Sequence, residues 1–586
     1  MTPDDYRQEN DFGGLRVAKI LKIHGVKFVF TLTGGHIAPI LVGCKKEGIR
    51  VIDVRHEVTT VFAADGVSRL TGVPGVAIVT AGPGVTNTVT AVKNAQMAQS
   101  PVILIGGSTP TLLKGRGALQ DIDQMALLKP HLKWATTVKT YSELPKVEQA
   151  FKVAKEGVPG PVFVEMPIDL LWPEFQVKDT YKTSFEKLKK SLSGKVTAWY
   201  INRYLKNLFK GREVLSPPKV LSLKSRSISR QQVQKVISVL NRSERPVLLI
   251  SSQVLLDVDL VEEVVLAINS LGIPTYLSGM ARGLLGKDNP LQLRHRRRNA
   301  LREADTVILA GVPIDFRLDY GRIINRRATL ISVNRSKVDL KKNRKPDIGI
   351  LGCPGCFLIE IARNGSFQTG KWNPWLEKCR ERDNERNNEI SQQALEQMAR
   401  INPLNLCKTL EQVLPENSCL IGDGGDFIAT VSYIVQPRKP LSWLDPGPFG
   451  TLGAGAGFAL AAKLCRPEDE VWLLYGDGSV GYTLAEWDTF VRHGIPVIGL
   501  IGNDSGWMQI ARDQVKIFGD GVGTELGDRF YEKVVEGFGV EGILLKEESS
   551  IRETLERARK INKQGKPVLI NALIDRTDFR DGSIAM

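Results

Sequence analysis

Three times along the chain, short apolar runs alternate with amphipathic stretches, and this repeated pattern limits the fold more than any other feature. The first pass holds Val51-Ile-Asp-Val54, Val76-Ala-Ile-Val-Thr80, Val102-Ile-Leu-Ile105 and Val162-Phe-Val-Glu165. The second holds Pro246-Val-Leu-Leu-Ile250, Val307-Ile-Leu-Ala310 and Leu330-Ile-Ser-Val333; the third holds Leu420-Ile421, Trp472-Leu-Leu-Tyr475, Val497-Ile-Gly-Leu500 and Val568-Leu-Ile570. Strands written as continuous apolar runs, with helical stretches between them, predict parallel sheets covered on both faces by helices. The expected fold class is α/β, with three doubly wound parallel-sheet domains. A length of 586 residues agrees, since one core does not grow that large.

Composition shifts place the boundaries. Residues 1–185, 231–365 and 401–586 are the expected domains. Residues 186–230, basic and aromatic and then Ser216-Pro-Pro218, read as one linker; residues 366–400, dominated by Asn, Arg, Glu and Gln, read as another. Within the first linker, Trp199, Ile201, Tyr204, Leu205, Leu208 and Phe209 fit one face of a helix, with Lys206 and Lys210 opposite. Such a helix either touches a membrane or partner or packs on its own domains, and the second is the commoner fate.

Charge and cysteine content narrow the function classes. Lys and Arg exceed Asp and Glu by 15, which suits an acidic ligand such as a nucleotide or coenzyme A. The basic residues are scattered, and neither zinc-finger spacing nor a recognition-helix pattern is present, so nucleic acid is not expected as a partner. Seven cysteines do not make a disulfide framework in so long a chain. Cys353-Pro-Gly-Cys356 lacks the two further ligands a zinc site needs at suitable spacing, and reads as a structural turn. The first 14 residues hold no apolar signal core, no run of about 18 apolar residues occurs, and Ser583-Ile-Ala-Met586 is not the peroxisomal tripeptide. As written, the expected location is cytoplasmic.

Chemistry concentrates in a few turns. Tyr475-Gly-Asp-Gly478 follows one apolar strand and Ile501-Gly-Asn-Asp504 follows the next. Glycines around a carboxylate let the backbone approach a diphosphate, while Asp477 can bind the hard cation that neutralises it. In the first domain, Val51-Ile-Asp-Val-Arg-His-Glu57 ends a strand, and the apolar spacing of Val58, Val61, Phe62 and Ala64 begins a helix, which sets Glu57 at the junction. Thr80-Ala-Gly-Pro-Gly-Val-Thr-Asn87 again lies between strand and helix. Taken singly, each has a plain reading: a turn, or an acid favoured at a helix N-terminus.

Together these segments resemble the thiamine-diphosphate-dependent enzyme family. The Gly476-Asp477-Gly478 turn followed by Asn503-Asp504 is similar to its metal-diphosphate signature, except that paired asparagines are usual; both Asn503 and Asp504 are carried as candidate metal ligands beside Asp477. Arg55-His-Glu57 resembles the motif whose glutamate bonds the cofactor pyrimidine and promotes its imino tautomer. The 80–87 loop resembles a TSGPGATN loop, which makes Gly82, Pro83 and Asn87 expected contacts. Gly160-Pro-Val-Phe-Val-Glu-Met-Pro167 is similar to the strand closing the pyrimidine-binding domain. In the last domain, Asp423-Gly-Gly-Asp-Phe427 and Gly450-Thr-Leu-Gly453 fall where the family contacts the diphosphate and grips the pyrimidine. The resemblance thus implies cofactor contacts at Gly425, Asp426, Phe427, Gly450, Leu452, Gly476, Asp477, Gly478, Ser479, Asn503 and Gly506. The Gly450 carbonyl would receive the amino group, and Leu452 would be the wedge that bends the cofactor.

The domains then become pyrimidine-binding, central and diphosphate-binding in order, and the implied cofactors are thiamine diphosphate and Mg2+. Family members complete each site with domains from two subunits, which implies a homodimer or homotetramer. Arg55-His-Glu-Val-Thr59, Thr88–Met97, Trp443-Leu-Asp-Pro-Gly447 and Arg576–Ile584 resemble the acetolactate-synthase-like 2-hydroxyacyl-CoA lyase branch. That branch implies cleavage of a 2-hydroxyacyl-CoA to formyl-CoA and an aldehyde one carbon shorter. It usually carries an N-terminal anchor tied to the endoplasmic reticulum, and this sequence begins downstream of such a segment. For proton transfer at the substrate hydroxyl the candidates are His36, in Thr33-Gly-Gly-His36, and Gln120. Arg294-His-Arg-Arg-Arg298 is either a meeting point for coenzyme A phosphates or a solvated helix face.

Two rival readings remain. An acetolactate-synthase-type carboligase would fuse 2-oxo acids and keep FAD in the central domain; no clear GxGxxG occurs in residues 231–365, which neither demands nor excludes the flavin. A non-catalytic regulatory subunit of the same fold would have lost the glutamate or the metal aspartate, yet Glu57 and Asp477 are both present. A dehydrogenase would need a glycine fingerprint opening a helix, which is missing.

Overall fold

The computed structural model describes residues 11–185, 192–212, 216–223, 228–368 and 370–581. The first ten residues of the segment read for a targeting signal, and the whole 583–586 tetrapeptide, lie outside them. Two compact units emerge: residues to 224 apart from 69–72, and residues from 225 onward together with 69–72.

The first unit is built on six parallel strands: β1 (Phe28–Leu32), β2 (Arg50–Asp53), β3 (Gly75–Val79), β4 (Val102–Ser108), β5 (Trp134–Thr137) and β6 (Val162–Pro167). Their order is β2-β1-β3-β4-β6-β5. Every residue of β3, β4 and β6 is buried, the signature of a sheet covered on both faces. The helix Leu192–Leu208, expected in a linker, packs onto this unit: Ile201, Leu205, Leu208 and Phe209 join the same core as Val76, Ile103 and Val164. Tyr204 donates to Asp169 at 2.7 Å, while Trp199, expected on the packed face, is exposed. The packing reading therefore holds for Ile201, Leu205, Leu208 and Phe209, while Trp199 stays on the exposed side with Leu192 and Val196.

The second unit carries two sheets. The central one comprises β7 (Pro246–Ile250), β8 (Thr275–Leu277), β9 (Gln292–Leu293), β10 (Thr306–Ala310), β11 (Thr329–Asn334) and β12 (Ile348–Leu351), in the order β12-β11-β10-β7-β8-β9. Counted from its own first strand this is 3-2-1-4-5-6, the doubly wound order of dinucleotide-binding folds. The other sheet comprises β13 (Ser418–Asp423), β14 (Trp443–Leu444), β15 (Glu470–Gly476), β16 (Ile498–Asn503), β17 (Glu541–Leu545) and β18 (Val568–Leu573), in the order β14-β13-β15-β16-β18-β17. This repeats the order of the first sheet strand for strand. Three parallel six-stranded sheets with helices between them match the expected fold class.

Residues 366–400, read as a linker, instead hold a 21-residue helix, Asn373–Gln393. Trp375 and Cys379 sink into the central core, and Ile390 into the core under the last sheet. Trp375 also donates its indole N–H to the Pro246 carbonyl at 3.1 Å. The rest of the helix is polar, and that composition concealed its sparse buried stripe of Trp375, Cys379, Asp383 and Ile390.

The basic run 294–298 is not one surface patch: Arg294 and His295 are held within the fold, while Arg296 and Arg298 are exposed. The Arg294 guanidinium donates to the carbonyls of Tyr433, Ile434 and Val435 at 2.9, 3.0 and 3.3 Å, capping the C-terminus of the helix Asp426–Ile434. A cation there satisfies orphan carbonyls and opposes the negative end of the helix dipole. The Arg294 and His295 backbone N–H groups both bond Asp383, at 2.7 and 2.6 Å, and Arg296 pairs with Glu389 at 2.7 Å. The cluster is a clamp between the central sheet, the 373–393 helix and the last sheet. Among the described residues no helix is long and apolar enough to cross a membrane.

Trp375→Ala removes an aromatic anchor and orphans the Pro246 carbonyl. It is expected to destabilise the second unit by about 3–5 kcal/mol, read by circular dichroism as an earlier denaturant midpoint for that unit.

Candidate functional site

In parallel doubly wound sheets, ligands meet the loops at the carboxyl ends of the strands, beside the point where strand order reverses. In the first sheet that point lies between β1 and β3, and the candidate residues surround it. Glu57 opens the helix Glu57–Thr71 four residues beyond the end of β2 and is only 7% exposed. Its Oε2 accepts from Asn87 Nδ2 at 2.9 Å, which joins the Arg-His-Glu turn to the 80–87 loop. That loop needs its glycine: Gly82 has φ +63, and a Cβ there would lie 2.9 Å from the Gln120 backbone oxygen. Pro83 follows as the first residue of the short helix Pro83–Thr86, a position that has no use for a backbone N–H.

His36 lies past β1, and its Nδ1 meets Thr80 Oγ1 at 3.1 Å. Burial holds its pKa below the usual imidazole value, so the ring is neutral at pH 7. Gln120 is half-buried in a left-handed conformation, φ +62, against Gly82. The structure thus joins Glu57 with Asn87, His36 with Thr80 and Gln120 with Gly82; among the described residues no hydrogen bond joins His36 to Gln120 or to Glu57. Sequence reasoning missed Gln124. Buried, it accepts from Gly82 N at 3.1 Å and donates to the Gly107 carbonyl at 3.2 Å and to Glu165 Oε1 at 3.0 Å, so it ties the glycine loop to β4 and β6. A polar side chain with partners 17, 41 and 42 residues away leaves no local signal.

In the second unit the equivalent turns follow β13 and β15. Asp423, at the end of β13, is fully buried and accepts from Gly453 N at 3.1 Å, Gly455 N at 2.8 Å and the Ser479 hydroxyl. Burial pushes its pKa up to about 6. One carboxylate therefore fixes three of the segments that sequence reading singled out separately. Gly424 brings its turn against the next one, since a Cβ there would stand 2.8 Å from Gly476 N. Gly425 precedes the helix Asp426–Ile434, whose Asp426 pairs with Arg512 at 2.8 Å. Phe427, expected at the cofactor, buries its ring in the core against Gly502, because the second helical position faces the sheet. Gly450, at φ +65, has open space where a Cβ would be, and Leu452 beside it is half-buried.

Asp477 begins the helix Asp477–Thr483 at the end of β15; its Oδ1 accepts from Gly478 N and its Oδ2 from Gly506 N, both at 2.9 Å. Gly478 is required, since a Cβ would collide with the Trp507 ring at 2.3 Å. Asn503, at the end of β16, is committed: its amide donates to Asn571 Oδ1 at 3.1 Å and its oxygen accepts from Ser505 N at 3.1 Å. Asp504 is different. Burial first, then the charges of Asp477 and Asp426, push its pKa up to about 8, while burial pushes Asp477 up to about 6. Arg576 opposes this only from the side, through its bond to the Asp504 carbonyl at 3.0 Å.

These are buried carboxylates lacking a matching positive charge within the turn, and a diphosphate would only add repulsion. The donor set fits a hard divalent cation that neutralises carboxylates and phosphate together. Asp477 and Asp504 are the carboxylates that could hold it, while the Asn503 side chain is engaged with Asn571 and Ser505.

Comparison with known proteins finds matches along nearly the whole chain. The profile "Thiamine pyrophosphate enzyme, N-terminal TPP binding domain" matches residues 13–127, the central-domain profile of the same enzymes matches residues 233–361, and the "C-terminal TPP binding domain" profile matches residues 423–572. A Danio rerio protein named 2-hydroxyacyl-CoA lyase 2 is 49% identical over 99% of this chain and 94% of its own length. The Homo sapiens protein of the same name is 48% identical over 98% and 92%. A Mycobacterium bovis protein named probable acetolactate synthase is 32% identical over 98% of both chains.

The raised carboxyls have a measurable consequence. A carboxyl that binds its proton more tightly folded than unfolded makes stability fall as pH climbs from its unfolded value, about 4, to its folded one, about 8 for Asp504. In chelator, the wild-type unfolding temperature is expected to drop below that of Asp504→Asn across this window. The two should coincide at the acid end, and excess Mg2+ should rescue the wild type alone.

Proposed function

The chain belongs to the thiamine pyrophosphate enzyme family, and from that premise we propose that it is a thiamine-diphosphate- and Mg2+-dependent lyase cleaving 2-hydroxyacyl-CoA to formyl-CoA and an aldehyde one carbon shorter. The observation that carries the reading is similarity along essentially the whole chain, at 48% and 49% identity, to proteins named 2-hydroxyacyl-CoA lyase 2.

Bound thiamine diphosphate supplies a carbon acid that, once deprotonated, adds to a carbonyl and holds the electron pair of the broken carbon–carbon bond. Glu57 offers Oε1, the oxygen left over by Asn87, to the ring nitrogen of the aminopyrimidine, and its burial keeps water from competing for that bond. The Gly450 carbonyl receives the amino group, with Leu452 as the apolar support. Asp477 and Asp504 hold Mg2+. Backbone groups around Gly425, Asp426, Gly476, Gly478, Ser479 and Gly506 meet the diphosphate, helped by the N-terminus of the helix Asp426–Ile434.

On the substrate side, His36 is oriented through Nδ1 by Thr80, which leaves Nε2 to take the proton of the 2-hydroxyl as the bond between carbons 1 and 2 breaks. Gln120, set against the Gly82 loop, hydrogen-bonds the same hydroxyl.

A specific feature supports an acyl substrate over small 2-oxo acids. The helix Met508–Phe518 is tied to the diphosphate side by Arg512 and Asp426. Its other face, with Ile510, Ile517 and Phe518, joins Val522 in lining an open hollow of about 520 Å3 whose remaining wall is Gln509, Asp513, Gln514 and Asp520. The apolar side suits a hydrocarbon chain. We propose a homodimer or homotetramer as the working assembly.

Purified protein supplied with thiamine diphosphate and Mg2+ is expected to release formyl-CoA from a 2-hydroxyacyl-CoA and to form little acetolactate from pyruvate; acetolactate alone would reverse the assignment. Glu57→Gln should lower turnover about 10²–10⁴-fold while the cofactor stays bound. Mass spectrometry of small molecules released from the same preparation reports thiamine diphosphate and FAD directly, and native mass spectrometry reports the assembly.

A further inference from the structure

At the carboxyl edge of the central sheet, remote in sequence from the turns just described, three side chains converge. Asp257 follows β7, Arg335 follows β11 and Cys353 follows β12. Cys353-Pro-Gly-Cys356 opens the 11-residue helix Pro354–Asn364 with Cys353 as its N-cap, and the Cys353 sulfur accepts the Cys356 backbone N–H at 3.2 Å. The Cys353 thiol donates to Asp257 Oδ2 at 3.0 Å, and the Arg335 guanidinium holds the same carboxylate. Ligand atoms of Asp257, Cys353 and Cys356 all lie within 4.8 Å of one another.

The turn that sequence reading assigned to these residues is present, and it brings two sulfurs together beside a carboxylate base. A metal is the poorer occupant. The three groups are one ligand short of a tetrahedral set, and Arg335 already neutralises Asp257. A disulfide needs only two sulfurs about 2.05 Å apart, and they start within reach. Cys356 differs from the deeply buried thiols: burial pushes Cys44, Cys379 and Cys419 up to about 12, which leaves them unreactive, while Cys353 is also held above the ordinary value, first by its hydrogen bond to Cys356 and then by burial, and so serves in the second step and not the first. Cys356 is half-buried, and its thiol is held below the ordinary value by the Cys353 thiol, whose one proton can turn from Asp257 to the Cys356 sulfur, against the opposing effect of burial.

We propose that Cys353 and Cys356 form a reversible disulfide by exchange with a small disulfide of the glutathione class. The Cys356 thiolate attacks one sulfur of the small disulfide and expels one thiolate, which leaves a mixed disulfide. Cys353 then passes its proton to Asp257 and attacks the Cys356 sulfur, expelling the second thiolate. Two protein thiols are oxidised, one small disulfide is reduced to two thiols, and the protons leave with them.

The test uses full-length holoprotein equilibrated with glutathione and glutathione disulfide at graded ratios, quenched in acid, alkylated in denaturant, digested and weighed. The expected peptide spanning 353–356 is unalkylated and two hydrogens lighter at oxidising ratios, and doubly alkylated again after reduction. Cys353→Ser should stall with glutathione on Cys356, and Cys356→Ser should abolish the effect. Double alkylation at every ratio overturns the proposal. So does protection that a chelator removes and a reductant does not, which would mark a metal site. Both of these readouts come from the wild type, so a variant that folds poorly leaves them unaffected.

Discussion

Two acids buried at the ends of neighbouring parallel strands cannot both stay charged without help, and the second unit is organised around that difficulty. Asp477 and Asp504 close β15 and β16, strands that are hydrogen-bonded to each other, so the sheet itself fixes their proximity. Asp477 can remain there because two backbone N–H groups, from Gly478 and Gly506, partly offset its burial. Asp504 has less support and carries the larger shift, up to about 8. In the proposed function a bound cation would relieve this conflict and let an anionic ligand approach.

Asp423 shows a different solution at the next strand. It is more deeply buried, yet its oxygens are taken by Gly453, Gly455 and Ser479, which lie on two separate turns. Such a carboxylate serves as a tie. The contrast separates three aspartates at neighbouring strand ends into one whose oxygens are taken within the fold and two that the proposed function gives to a cation.

Much of the fold was legible because the strands are apolar runs bounded by glycine and proline; β3, β4 and β15 stand out from the sequence pattern alone. The two-residue strands β9 and β14 left no such trace. Composition misled where burial was sparse, as in the 373–393 helix, and where charge was structural, as at Arg294, which caps a helix whose last residue, Ile434, lies 140 residues further along the chain. The turns of the candidate site were legible as local glycine and acid patterns. The commitments of the Asn503 side chain were not, since they depend on the left-handed Ser505 and on Asn571, contributed by β18.

The outer two sheets share one strand order, and their candidate residues occupy matching places within it. In the first, His36 follows the first strand and the Gly82 loop follows the third; in the last, Asp423-Gly-Gly-Asp426 follows the first strand and Gly476-Asp477-Gly478 follows the third. A right-handed crossover forces both loops onto the carboxyl edge at the reversal point, whatever their sequence. What differs is chemistry: the first sheet offers a buried acid and a neutral imidazole, the last a set of carboxylates demanding a cation. One scaffold, used twice, would on the proposed function separate proton handling from diphosphate binding. The central sheet, wound in another order, leaves its own edge to a thiol pair and an ion pair, free of both tasks.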